Sequence, residues 1–153
     1  MSSRLFQIIR EDRGLAYSIY STPSFFEDTG DLVISAGLDT DSLPKTLRLI
    51  IRELRRLAET PPSTAELRRA RDYVLGQIDL GQESTENQMN WIGEQLIGYG
   101  RIFSPNEVRR HLRRVTPGEI RSVARDFFRP ERLNLALVSP LKTAKHLMKS
   151  LAP

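Results

Sequence analysis

The sequence is poor in the residue types on which many catalytic and binding sites depend. It has no cysteine, two histidines and one tryptophan, and aromatic residues make up only 7% of it. The lack of cysteine excludes disulfides and thiolate metal sites, and it leaves the redox compartment undetermined. No apolar run approaches the roughly 20 residues of a membrane-spanning helix, and the N-terminus lacks the apolar core of a signal peptide. A soluble protein is therefore expected.

What is present predicts one domain at most. The 153 residues suffice for a single hydrophobic core, and a charged fraction of 27% is ordinary for a globular protein. Apolar residues recur at helical spacing through the middle of the chain. Three helix starts there combine a capping hydroxyl with a glutamate three positions later, at Ser63, Ser104 and Thr116. We therefore expect a central block of helices.

Strand patterns lie toward the two ends of the chain. They cover Leu15 to Ser21, Asp31 to Leu38 and the apolar run Asn134 to Ser139, and Thr22 to Gly30 is long enough for an open antiparallel connection. Strands that flank a helical block are typical of an α+β fold, not of alternating βαβ units. The predicted fold class is thus α+β, with an antiparallel-type sheet covered by a block of helices.

The segment from Arg10 to Tyr17, R-E-D-R-G-L-A-Y, holds the candidate functional residues. Gly14 is typical of the position just past a helix end, and strand alternation begins after it. Arg10 and Tyr17 are therefore expected close together on two rigid elements. Both can donate hydrogen bonds to a carbonyl oxygen that gains charge. The same spacing is also compatible with a solvated arginine on a helix and a half-buried tyrosine on a strand, without a functional role for either residue.

Several motifs in order along the chain resemble the C-terminal half of M16 metallopeptidases, the pitrilysin-like group that includes the mitochondrial processing peptidases. The strongest is S-S-R-L-F-Q-I-I-R-E-D-R-G-L-A-Y-S-I-Y-S, at residues 2–21. The others are E-L-R-R-L (53–57), A-E-L-R-R-A-R (65–71), G-Q-I-D-L-G-Q-E-S (76–84), V-T-P-G-E-I (115–120) and L-N-L-A-L-V-S-P (133–140). Residues 1–153 are therefore identified as a single, partial M16 peptidase C-terminal domain.

The resemblance implies that the chain is the substrate-binding, non-metal half of a zinc endopeptidase. Arg10 and Tyr17 match an Arg/Tyr pair that binds the peptide substrate, and Tyr17 would polarise the scissile carbonyl in the intact assembly. The expected partner is a zinc-binding M16 half, on the same polypeptide or on a second subunit. Zinc is expected in that partner half and no cofactor in this chain.

The zinc motif of the family, His-x-x-Glu-His, is missing. His111 and His146 each lack a glutamate three positions on and a second histidine four positions on. A catalytic zinc needs three protein ligands in close geometry. The sequence therefore predicts no metal site and no peptidase activity for the chain alone.

Two other functions compete with this interpretation. A structural subunit of the same family, without catalysis, would keep the fold. The arginine-rich segments 68–71 and 109–114 would suit a nucleic-acid surface, but acidic residues lie among them and no aromatic residues alternate with them, so salt-bridged solvated faces are favoured.

The resemblance also implies a strand and a helix ahead of Met1, and hence an N-terminally truncated domain. An uncovered sheet edge would favour a homodimer of the isolated chain. No membrane is expected as a partner. The compartment is left open, between the bacterial cytoplasm and the periplasm.

Overall fold

The computed structural model describes residues 3–143 and Leu147 and has an α+β fold. Two strands, β1 (Ser18–Phe25) and β2 (Gly30–Gly37), follow a π-helical turn at Phe6–Glu11. Five helices come next, with the bounds α1 Leu43–Glu59, α2 Thr64–Gly81, α3 Thr85–Tyr99, α4 Pro105–Arg114 and α5 Pro117–Phe127. Short 3₁₀ turns occupy Thr40–Ser42 and Pro130–Arg132. The predicted α+β class is confirmed.

The chain divides into two compact units. One consists of the residues up to Thr60 together with those from Ser122 onward, and the other of Pro61–Arg121. The first unit holds both strands, the π-helical turn and α1. The second holds α2, α3 and α4.

The sheet is an antiparallel hairpin whose ladder runs from Ser18 opposite Gly37 to Phe25 opposite Gly30. The expected open connection at Thr22 to Gly30 is wrong, because pairing continues through Thr22 to Phe25. A tight turn closes the hairpin instead, and in it the Phe26 amide donates to the Thr29 carbonyl at 2.9 Å.

The core of the first unit lies between the π-helical turn, β1 and α1. Its buried members are Ile9, Ala16, Ile19 and Leu49. Ile19 lies on β1, whereas Ala16 lies in the connection just before the strand. Leu43 and Leu47 on α1 form a second cluster with Leu147. The cores therefore fix the segment that carries Tyr17 against α1.

Two buried polar residues on α1 were not expected from its apolar stripe. Thr46 is 1% exposed and Glu53 is 4% exposed. The Glu53 carboxylate lies 3.6 Å from both Arg52 and Arg56, which are themselves exposed. Within the described residues, neither Thr46 Oγ1 nor Glu53 Oε2 has a hydrogen-bond partner. Both groups thus lower the stability that burial of this helix face provides.

The predicted strand at Asn134–Ser139 is wrong. Within the described part of the chain, residues 133–138 take part in no helix or strand ladder. Leu133, Leu135 and Leu137 are each 38% exposed, and Val138 is fully exposed. An apolar run forms a strand only where a partner strand pairs with its backbone. The homodimer of the isolated chain stays a prediction.

In the second unit, side-chain caps begin the helices as the sequence predicts. Ser63 Oγ accepts from the Glu66 amide at 3.2 Å, and Ser104 Oγ accepts from the Glu107 amide at the same distance. At the start of α5 the Thr116 amide donates to the Glu119 carboxylate at 2.7 Å. These bonds satisfy amides that a helix start otherwise leaves unpaired.

Candidate functional site

Arg10 lies on a widened, π-helical turn. The Asp12 amide donates to the Gln7 carbonyl at 2.8 Å, a bond that spans five residues instead of the four of an α-helix. Ile9 faces inward and is completely buried, whereas Arg10 beside it is exposed. π-Helical turns within helices are rare and occur frequently at functional sites. The extra residue in the turn sets the direction in which Arg10 leaves the backbone.

A glycine turn connects Arg10 to the strand. Gly14 has φ +57°, the left-handed conformation that glycine adopts without steric cost. Its amide donates to the Arg10 carbonyl at 3.0 Å, and the Leu15 amide donates to the Ile9 carbonyl at 2.9 Å. The helical turn therefore ends in a fixed geometry directly before Tyr17.

Tyr17 stands at the entrance to β1, on the solvent face. Its amide donates to the Gly37 carbonyl at 2.8 Å, which anchors it to β2. The side chain is 69% exposed, whereas Ala16 just before it and Ile19 just after it are buried. The half-buried tyrosine that the sequence left open as an alternative is thus not what the structure has. The phenol is accessible to a ligand.

Among the residues that the structure describes, the Arg10 guanidinium has only weak partners. Its Nε lies 3.8 Å from the Glu11 carboxylate, and its central carbon lies 5.0 Å from the centre of the Phe6 ring. Both charged side chains are about half exposed, at 46% and 52%, and exposed ion pairs of this kind contribute little to stability. A ligand can therefore engage the guanidinium at small cost.

The Tyr17 hydroxyl donates to Asp39 Oδ1 at 3.0 Å. This hydrogen bond, together with the negative charge of Asp39 and a lesser desolvation, raises the pKa of Tyr17 above its ordinary value. The phenol is therefore a hydrogen-bond donor whose present acceptor is Asp39.

The structure places Arg10 and Tyr17 at the two ends of one short, hydrogen-bonded connection, both exposed. Their polar groups have different partners, Glu11 and Phe6 for the guanidinium and Asp39 for the hydroxyl. Sequence reasoning missed Asp39. Its position just after β2, opposite the entrance to β1, is the signal that was available.

Comparison with known proteins identifies a family for this chain. Residues 1–74, which include Arg10, Tyr17 and Asp39, match the model of the Peptidase M16 inactive domain. An uncharacterised zinc protease of Streptomyces coelicolor is 39% identical over 142 residues, which are 93% of this chain and 31% of that protein. The chain belongs to the M16 peptidase family. The predicted resemblance to the C-terminal half of an M16 peptidase is thereby confirmed.

Other relatives support the same assignment. An uncharacterised zinc protease of Bacillus subtilis, YmxG, is 36% identical over 92% of this M16 chain and 34% of its own length. The periplasmic protease PqqL from Escherichia coli has a similar fold, with a TM-score of 0.60, 21% identity, and coverage of 81% of this chain and 14% of PqqL. The M16 chain spans about a third of the length of the curated relatives that it matches.

The described side chains of this M16 chain do not fit a catalytic zinc ion. Among residues 3–143 and Leu147, no group of three or more His, Asp or Glu side chains is close enough to hold a metal ion. His111 lies on the exposed side of α4, and His146 is outside the described residues. The donor set that zinc requires is therefore not assembled in the described part.

The basic residues that suggested a nucleic-acid surface are partly used within the second unit. Arg71 donates to the carbonyls of Leu112, at 3.1 Å, and Val115, at 2.7 Å, and so completes the C-terminal end of α4. Arg109 pairs with Asp79 and donates to Asn106 at 2.7 Å. These contacts favour a structural role for the two arginines.

No helix within the described residues combines the length and the apolar character that crossing a membrane requires.

Proposed function

We propose that this M16 chain is the substrate-binding, non-metal half of a zinc endopeptidase. Arg10 holds the backbone of the peptide, and Tyr17 donates its hydroxyl proton to the oxygen of the scissile carbonyl. The zinc ion belongs to a zinc-binding M16 half, either on the same polypeptide or on a second subunit. The chain by itself has no activity, since it lacks the metal ligands.

The accessible, protonated phenol of Tyr17 is the observation that supports the proposal most. A donor stabilises a carbonyl that gains negative charge only if it keeps its proton and can approach the oxygen. Tyr17 is 69% exposed, and its hydroxyl already acts as a donor, to Asp39 Oδ1 at 3.0 Å. The backbone bond to Gly37 limits the movement of the strand that carries it.

In this proposal Arg10 binds the backbone of the peptide. A guanidinium presents several donors in a planar fork and cannot lose its proton at physiological pH. It therefore suits backbone carbonyls of an extended peptide. The exposed, weak pair with Glu11 leaves these donors available.

A hybrid enzyme tests the proposal. In the Streptomyces coelicolor relative, the segment that aligns with this chain is replaced by the chain itself, and a quenched fluorescent peptide that the unaltered relative cleaves serves as substrate. Tyr17→Phe is expected to lower turnover, with zinc content unchanged. Tyr20→Phe is the matched control, because Tyr20 lies on β1 three positions after Tyr17 and is 60% exposed.

Arg10→Gln in the same hybrid is expected to raise KM more than it lowers kcat, because the proposed role of Arg10 is to hold the peptide. Arg13→Gln, an exposed arginine in the same connection, is its control. Full activity of both the Arg10 and the Tyr17 variants would favour a structural subunit.

A further inference from the structure

The Tyr17 hydroxyl can donate a single hydrogen bond, and in this structure Asp39 accepts that bond. A phenol carries one O–H donor. The bond to Asp39 Oδ1 is 3.0 Å long, which is within the normal range for a hydrogen bond. A peptide carbonyl can accept this hydrogen bond only after the hydroxyl leaves Asp39. The acceptor must therefore be exchanged when a substrate binds.

The position of Asp39 is set by the backbone around it. It directly precedes the 3₁₀ turn Thr40–Ser42, and its carbonyl accepts from the Ser42 amide at 3.0 Å. An aspartate at such a helix start commonly caps the turn with its own side chain. Among the described residues, the Asp39 carboxylate makes no such cap and accepts from Tyr17 instead.

The hairpin keeps the two residues together. The amide of Tyr17 bonds to Gly37, two positions before Asp39, so the ends of the two strands are held side by side. Tyr17 and Asp39 both lie just beyond the last pair of the ladder, Ser18 opposite Gly37, and the phenol reaches the carboxylate there. The end of the ladder and the 3₁₀ turn fix the backbone on the two sides of Asp39.

We infer that Asp39 is a positioning residue that holds the Tyr17 hydroxyl in the unliganded protein and competes with the scissile carbonyl of a peptide for its proton. This inference rests on the proposed function of Tyr17. Asp39 keeps the phenol in one orientation and protonated. It also weakens peptide binding and turnover, because its charge-assisted hydrogen bond must be broken before Tyr17 can act.

The first test uses the full chain without any partner. Tyrosine labelled with ¹³C is followed by NMR as the pH is raised, with Tyr17 assigned from the Tyr17→Phe variant. Asp39→Asn is expected to bring the pKa of Tyr17 down toward its ordinary value. Asp31→Asn, an exposed aspartate on β2, is expected to leave it unchanged. An unchanged Tyr17 pKa in Asp39→Asn would overturn the inference.

The second test measures competition in the hybrid enzyme. Asp39→Ala is expected to raise kcat/KM by about two- to tenfold, the range for loss of one hydrogen bond that opposes catalysis. The increase should disappear in the Tyr17→Phe background, because phenylalanine has no proton to give. A purely structural role of Asp39 would instead lower kcat/KM in both backgrounds.

The outcomes separate the two proposals. If Tyr17→Phe lowers activity but Asp39→Ala gives no increase, competition by Asp39 is refuted and the role of Tyr17 stands. If Tyr17→Phe has wild-type activity, the proposed function of Tyr17 is refuted. Asp39→Asn serves as a second variant of nearly the same size, and it should change kcat/KM in the same direction as Asp39→Ala.

Discussion

Replacement of Ile9 by a smaller residue should destabilise the turn that carries Arg10. Ile9 is completely buried in the cluster with Ala16, Ile19 and Leu49. Ile9→Ala removes three carbon atoms, worth about 0.8 kcal/mol each, and leaves a cavity. The expected loss of unfolding free energy is therefore roughly 3–4 kcal/mol, and Ile9→Val, which removes one carbon, should cost about 1 kcal/mol.

Amide hydrogen exchange measures this loss of stability at the amides of Leu15 and Tyr17. The Leu15 amide bonds to the Ile9 carbonyl, and the Tyr17 amide bonds to Gly37. A loss of about 3 kcal/mol should raise exchange at these amides roughly 100-fold, since 1.4 kcal/mol corresponds to a factor of ten. Trp91 fluorescence is unsuitable, because Trp91 lies in the second unit.

Ile97→Ala is the control for Ile9→Ala. Ile97 is 89% exposed, so its loss should change stability by no more than about 0.5 kcal/mol. If Ile9→Ala left exchange at Leu15 and Tyr17 unchanged, burial of Ile9 would not be what positions the site.

Two further substitutions test the local structure by urea unfolding. Gly14→Ala should lower stability by about 1–2 kcal/mol through its left-handed backbone alone, because in the described structure an added Cβ would meet nothing within 4 Å. Gly14→Asn should cost less, and equal losses would contradict this reason. Thr46→Val should raise stability by about 1 kcal/mol, because it replaces a buried hydroxyl that has no partner in the described chain. A loss of stability would show that the hydroxyl is satisfied.

The sequence predicts the hairpin and the helix starts because local rules decide them. Both strands were found, although β1 begins at Ser18 instead of Leu15 and continues to Phe25. Strand alternation sets which residues face inward, but pairing across the turn sets where a strand ends. The cap at Ser63 follows from two residues three positions apart, and it was predicted correctly.

The features that were missed depend on distant parts of the chain. Asn134–Ser139 has strand composition, but no partner strand in the described residues pairs with it. The contact between Tyr17 and Asp39 joins residues 22 positions apart and needs the register of the hairpin. The π-helical turn has no simple sequence signature. Arg10 and Tyr17 could therefore be proposed from the sequence and their roles stay predictions, whereas the contact with Asp39 was found only in the structure.

The central claim is that Tyr17 polarises the scissile carbonyl. The most direct test compares kcat/KM of the Tyr17→Phe hybrid enzyme with that of the Tyr20→Phe hybrid at equal zinc content. Loss of one donor that acts on the transition state should lower kcat/KM by roughly 10²–10³-fold, whereas Tyr20→Phe should stay close to wild type. Equal activity of the two variants would contradict the assignment of Tyr17 as the residue that polarises the scissile carbonyl.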